Sequence, residues 1–160
     1  MYYDKEKITP HEKKACELFL SGYNCAQAVF AAFSDLTGIS EKDSARMISA
    51  FGGGMSGQRR TCGTVSAMLM VAGCLTGYSE ASDYDGKVEL YKNGKMLCEE
   101  FESLLSSQIC SELLRGMKLS STPAVRDVEY YKARPCVKFC AVAANILDNW
   151  LIKEFGYDIR

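Results

Sequence analysis

The sequence predicts an all-α fold, a compact single-domain bundle of about six or seven helices over residues 1–160. Three observations lead there. Apolar residues recur at i, i+3, i+4 spacing in nearly every segment. Proline, asparagine, serine and glycine stand at the segment ends as start and stop signals. No stretch alternates apolar and polar residues as a half-buried strand would.

Pro10 opens an amphipathic run to Leu20, with Ala15, Cys16, Leu18 and Phe19 apolar, and Gly22 closes it. Asn24 is placed to cap a second helix carrying Cys25, Ala28, Val29, Ala32 and Phe33, which Gly38 ends. Ser40 precedes "EKDSARMISAF", whose acidic first turn complements the helix dipole. After a glycine-rich loop, Thr61 stands where a cap is expected, and "CGTVSAMLMVAGCLTG" reads as a buried helix stopped by Gly77. Residues 79–86 form a polar, acidic connection. The next segment is ambiguous, because Asn93-Gly94 between apolar runs is a strong hairpin signal. Leu90, Gly94, Leu97, Cys98, Phe101, Leu104 and Leu105 keep helical spacing across it, so residues 88–105 are expected as a helix that tolerates Gly94. "CSELLRG" is a short helix, residues 117–134 a loop around Pro123 with a helical turn near "AVRDVEYYK", and Pro135 opens the last helix.

Composition narrows the function. The chain is 48% hydrophobic and 24% charged, an ordinary globular balance, and its net charge of −1 gives no electrostatic reason to expect nucleic acid as a partner. The least charged run, Cys62 to Tyr78, is too short and too polar for a membrane span. The opening "MYYDKEKITPHEKK" lacks the apolar core of an export signal, so a cytoplasmic, thiol-reducing location is expected. His11 is the single histidine and, in its charged segment, reads as a solvated surface residue. That scarcity disfavours Ser-His-Asp and Cys-His nucleophiles and histidine-rich zinc sites.

The stretch "FGGGMSGQRRTCGTVSA" spells G-x-G-x-x-G through Gly52, Gly54 and Gly57. A dinucleotide loop needs a strand before it and an acidic residue about 20 positions on. Here a helical segment leads in, and Gln58-Arg59 stands where a Walker loop needs Lys-Ser/Thr, so no nucleotide is expected. The stretch reads better as a cradle for Cys62. The unpaired amides of a helix start stabilise a thiolate there, Arg59 and Arg60 add positive charge, and Gly63 leaves room for a close approach.

The same test divides the eight cysteines. Cys25 follows Asn24, Cys62 follows Thr61, Cys110 falls in the first turn after Ser107, and Cys136 follows Pro135. All four sit at helix starts. Cys16, Cys74, Cys98 and Cys140 lie inside helices among apolar neighbours and read as small hydrophobes. Cys140 shares a face with Cys136 in C-x-x-x-C and is a spare ligand candidate.

The segments "GYNCAQAVFAAF", "FGGGMSGQRRTCGTVSAMLMVAG", "CSELLRG" and "CVKFCAVAANIL" resemble the small redox-active proteins named for the pattern C-GCAxxG-C-C. The resemblance covers nearly the whole chain and places the family's four cysteines at Cys25, Cys62, Cys110 and Cys136. Thr64 replaces the family's usual alanine and Ala67 its last glycine, while Cys140 stands where an aliphatic residue is usual.

Three functions follow for four such thiols. Ligand count ranks an iron–sulfur cluster on Cys25, Cys62, Cys110 and Cys136 first, used for electron transfer. Zinc on the same ligands ranks lower because paired C-x-x-C knuckles are missing. A reversible dithiol is the second function, and a non-catalytic helical binding module the third. Covalent haem is not expected without C-x-x-C-H. A redox partner protein is implied, and a homodimer is among the expectations.

Overall fold

A computed structural model describes residues 1–159. It contains nine α-helices: α1 (Pro10–Leu20), α2 (Cys25–Ala32), α3 (Ser34–Thr37), α4 (Glu41–Met47), α5 (Gly63–Thr76), α6 (Tyr84–Leu105), α7 (Cys110–Leu113), α8 (Val128–Ala133) and α9 (Cys136–Phe155). The all-α expectation holds. The helix number exceeds it because Phe33 divides α2 from α3, and because the turn near "VEYYK" closes into α8. Among the described residues, strand-like pairing is confined to one antiparallel bridge between Thr61 and Ile109.

Local chemistry sets the main boundaries. Thr9 caps α1 through a reciprocal pair with Glu12, and Pro10 fills its first turn. Asn24 and Gln27 make the equivalent pair at α2. Asp83 accepts the Gly86 amide at 2.9 Å to start α6, which runs unbroken through Asn93-Gly94. The hairpin alternative is thereby set aside: Gly94 is buried in mid-helix, facing Leu69 of α5. Thr61 is not the cap of α5. Cys62 holds that position without a side-chain cap bond.

α2 is the hub, packed against α1, α4, α5 and α9. Ala26 and every residue from Ala28 to Ala32 are completely buried, so the helix is enclosed on all sides rather than along one stripe. Its alanines let the neighbours close in, while Phe30 and Phe33 join Trp150, Ile146 and Leu147 of α9 in the core. α5 is buried along one face only. Leu69 and Cys74 are exposed, which corrects the reading of Cys74 as an interior residue.

His11 is also corrected. It is 4% exposed, stacks on Phe33 with ring centroids 4.2 Å apart, and lies between two carboxylates. Nδ1 is 2.5 Å from Asp148 Oδ1, and Nε2 is 3.0 Å from Asp35 Oδ1. The histidine ties α1 to α9 and α3. A charged segment around it hid the partners, both remote in sequence.

Candidate functional site

The four helix-start cysteines line one pocket. Cys25 is the first residue of α2, Cys62 the N-cap of α5, Cys110 the first residue of α7 and Cys136 the first of α9. The cavity between them is small, about 40 Å³, room for a few water molecules at most. Phe19, Leu113, Leu114 and Phe139 form its apolar wall.

Two clasps bring these sulfurs together. The first is the Thr61–Ile109 bridge: the Cys62 amide donates to Gln108 O at 2.8 Å, and the Cys110 amide to Arg60 O at 2.6 Å. The second is close approach at Gly63. A Cβ there would stand 2.8 Å from Cys25 Sγ and 2.9 Å from Phe51 O, so only glycine lets α5 begin against that sulfur. The intervening loop is tightly folded, with left-handed backbone at Gly53, Gly54, Met55, Ser56, Gly57 and Arg59. The three non-glycine residues carry strain of about 1–3 kcal/mol each. The loop is fixed by its own amides, including Arg59 N to Gly53 O at 3.0 Å and Ser56 N to Ala50 O at 2.7 Å.

The two thiols shift in opposite directions. Interaction with the Cys62 thiol is the main influence lowering the Cys25 pKa to about 6. Burial opposes the shift, while the backbone amides of Gly53 and Ala26 and the charge of Arg126 assist it. Cys62 moves the opposite way, well above the ordinary thiol value, because of that same interaction, its burial and the charge beside it. The Thr64 hydroxyl, 3.1 Å from Cys62 Sγ, moderates this rise. The helix-start argument expects the thiolate at Cys62, whereas the opposite shifts of the two thiols favour Cys25. Cys62 is 4% exposed and holds its proton, whereas Cys25 is half-buried at the head of a capped helix.

Cys110 and Cys136 stay protonated. Burial raises both, Cys136 to about 12, against the lowering influence of Arg59 on Cys110 and of Arg134 on both. Arg59 Nη1 lies 3.9 Å from Cys110 Sγ, so its partner is Cys110 rather than Cys62. Arg60 is exposed and absent from the lining; its contribution is the backbone carbonyl that holds Cys110. Cys140 is fully buried one turn beyond Cys136, outside the cavity, and its thiol donates to the Cys25 carbonyl at 3.9 Å.

Residues 117–134 supply what the sequence reading overlooked. Arg126, Tyr130 and Arg134 line the pocket together with the cysteines. Arg126 lies 4.6 Å and Arg134 4.9 Å from the centre of the Tyr130 ring. The interleaving of arginine and tyrosine just before Pro135-Cys136 was the available signal.

Among the described residues, no three of His, Cys, Asp and Glu are grouped to hold a metal ion. Also among the described residues, no helix is long and apolar enough to cross a membrane.

The family model described as "Putative redox-active protein (C_GCAxxG_C_C)" matches residues 23–150, a span that begins just before Cys25 and ends at Trp150. Searches of curated proteins and of solved structures return no match. The match takes in all four pocket cysteines and most of the chain; the protein belongs to the C_GCAxxG_C_C family of redox-active proteins.

Proposed function

We propose that the protein is a thiol–disulfide redox protein in which Cys25 attacks and Cys62 resolves. The observation that carries this reading is that Cys25 and Cys62, from two separate helices, line one small cavity where α5 begins against the Cys25 sulfur at Gly63, and their pKa values move in opposite directions. A Cys25 pKa of about 6 keeps the attacking sulfur ionised at neutral pH while leaving it strongly nucleophilic.

The chemistry balances without any other group. The Cys25 thiolate attacks one sulfur of a disulfide R–S–S–R′, a mixed Cys25–S–S–R bond forms, and R′S⁻ leaves. Attack by the Cys62 sulfur on Cys25 then forms the Cys25–Cys62 disulfide and releases R–S⁻, which takes up the proton that Cys62 gives up. The protein loses two electrons, and the substrate gains them as one thiol and one thiolate. An external protein dithiol returns the pair to the reduced state. Cys110 and Cys136, held as neutral thiols, wall the pocket and leave Cys25 as the single charged sulfur.

Ligand count ranks a cluster first in the sequence; the opposite shifts of Cys25 and Cys62 support the dithiol instead. A shared cavity for all four cysteines is what favours the cluster, and the absence of a grouped donor set is what disfavours it.

The test is a thiol count on protein purified anaerobically. Exposure to a small disulfide should remove two of the eight thiols, reversibly, with Cys25 and Cys62 joined in the oxidised peptide map. C62S should stop at the mixed disulfide and C25S should not react. Stoichiometric iron and sulfide that disappear in C110S and C136S would replace this reading with the cluster.

A further inference from the structure

Beside the thiol pocket lies a second, wider cavity of about 370 Å³, between the glycine loop and residues 121–126. Asn24, Gly53, Arg59, Arg126, Tyr130 and Arg134 border both, so the two spaces adjoin. The lining of the wider cavity includes three arginines and no aspartate or glutamate. None of the three appears in an ion pair among the described residues. Arg59 Nε and Arg126 Nη1 are buried and have no hydrogen-bond partner.

Such groups are costly to leave unpaired, and the chain as a whole is slightly acidic, so a generally basic surface does not account for them. Their placement is also fixed. Arg126 is held between Phe19, 5.0 Å away, and Tyr130, and Arg134 takes the other contact with Tyr130. Stacking holds a guanidinium by its face and leaves its in-plane N–H fork free for a planar anion. The volume is at the low end for small-molecule sites.

We propose that this cavity binds the carboxylates of a small anionic disulfide and directs its sulfurs to Cys25. The inference rests on the dithiol reading above and names its substrate class. The guanidinium cluster draws the anion in and stabilises the thiolate that departs when Cys25 attacks. The bonds made and broken are those already given, with R and R′ bearing carboxylates.

Three symmetrical disulfides of similar size test it on the unmodified protein: dithiodipropionate (dianionic), hydroxyethyl disulfide (neutral) and cystamine (dicationic). Each oxidation rate is divided by the rate with a free small thiol. The dianion should then lead the neutral compound by about ten-fold and the dication should come last. The spread should collapse near 1 M salt, where screening falls to about 3 Å. R134M should slow the dianion more than the neutral compound, so that the ratio of the two rates falls about ten-fold. Suberate, the carbon analogue of dithiodipropionate, should bind by calorimetry and compete with it, and R134M should abolish that binding.

Equal normalised rates and no suberate binding overturn the anion site while the dithiol chemistry stands. Suberate binding with no Cys25–Cys62 oxidation by any of the three overturns the dithiol reading and leaves an anion site.

Discussion

Cys25 and His11 show how two side chains acquire charge from partners far away in the chain. Cys25 depends on one donor above all, the Cys62 thiol. Alkylation by iodoacetamide should therefore rise with pH around a midpoint near 6 in the reduced protein, with the label mapping to Cys25. In C62A the donor is gone and the midpoint should climb toward the ordinary 9.0. An unchanged midpoint in C62A would remove the hydrogen bond from the argument. His11 works in the opposite sense. Burial of its ring lowers the pKa, but the hydrogen bond and charge of Asp148, with those of Asp35, carry it above 6.5. Because the folded value is raised, the stabilisation is complete below pH 6.5 and fades as pH rises through the folded value. Melting temperature should fall over that interval. H11A should lose the trend and about 3–5 kcal/mol of stability at acid pH, since Asp148 would then be buried without its partner.

Among the elements, the helix starts carry the site, and most of them were legible. Asn24 before Cys25 and Pro135 before Cys136 are local signals read within a few residues, and both are observed as helix boundaries. The same local logic misplaced the cap of α5 and the role of Ser107. Ser107 accepts the Ile109 amide at 2.9 Å in a tight turn rather than capping α7. Both misreadings share a cause: the Thr61–Ile109 bridge joins two loops, and neither loop has a periodicity that announces the other. Arg126 and Arg134 were missed for a related reason, because a segment without helical spacing gave no face on which to place them. Gly63 tests the geometry of these starts directly. G63A should destabilise the protein by about 1–3 kcal/mol, since the new methyl would meet Cys25 Sγ and Phe51 O below 3 Å. It should also shift the Cys25 alkylation midpoint, which a purely global loss of stability would not do.

For the molecule as a whole, the proposed Cys25–Cys62 bond would close a loop containing α2, α3, α4 and the glycine segment. Chain-entropy arguments give about 4 kcal/mol for a loop of this length, so the oxidised protein should unfold at higher denaturant concentration than the reduced one. Equal midpoints for the two forms would mean that the bond does not form, or that its strain offsets the gain. The single tryptophan makes the comparison direct. Trp150 is fully buried on α9 against Phe155, 14 residues beyond Cys136, or about 21 Å along the helix. At that range a thiol quenches indole fluorescence weakly, so the emission should hold its wavelength through cycles of oxidation and reduction. It should redden only when the bundle opens. The fold thus contains an optical gauge of its own integrity, stationed apart from its sulfur chemistry.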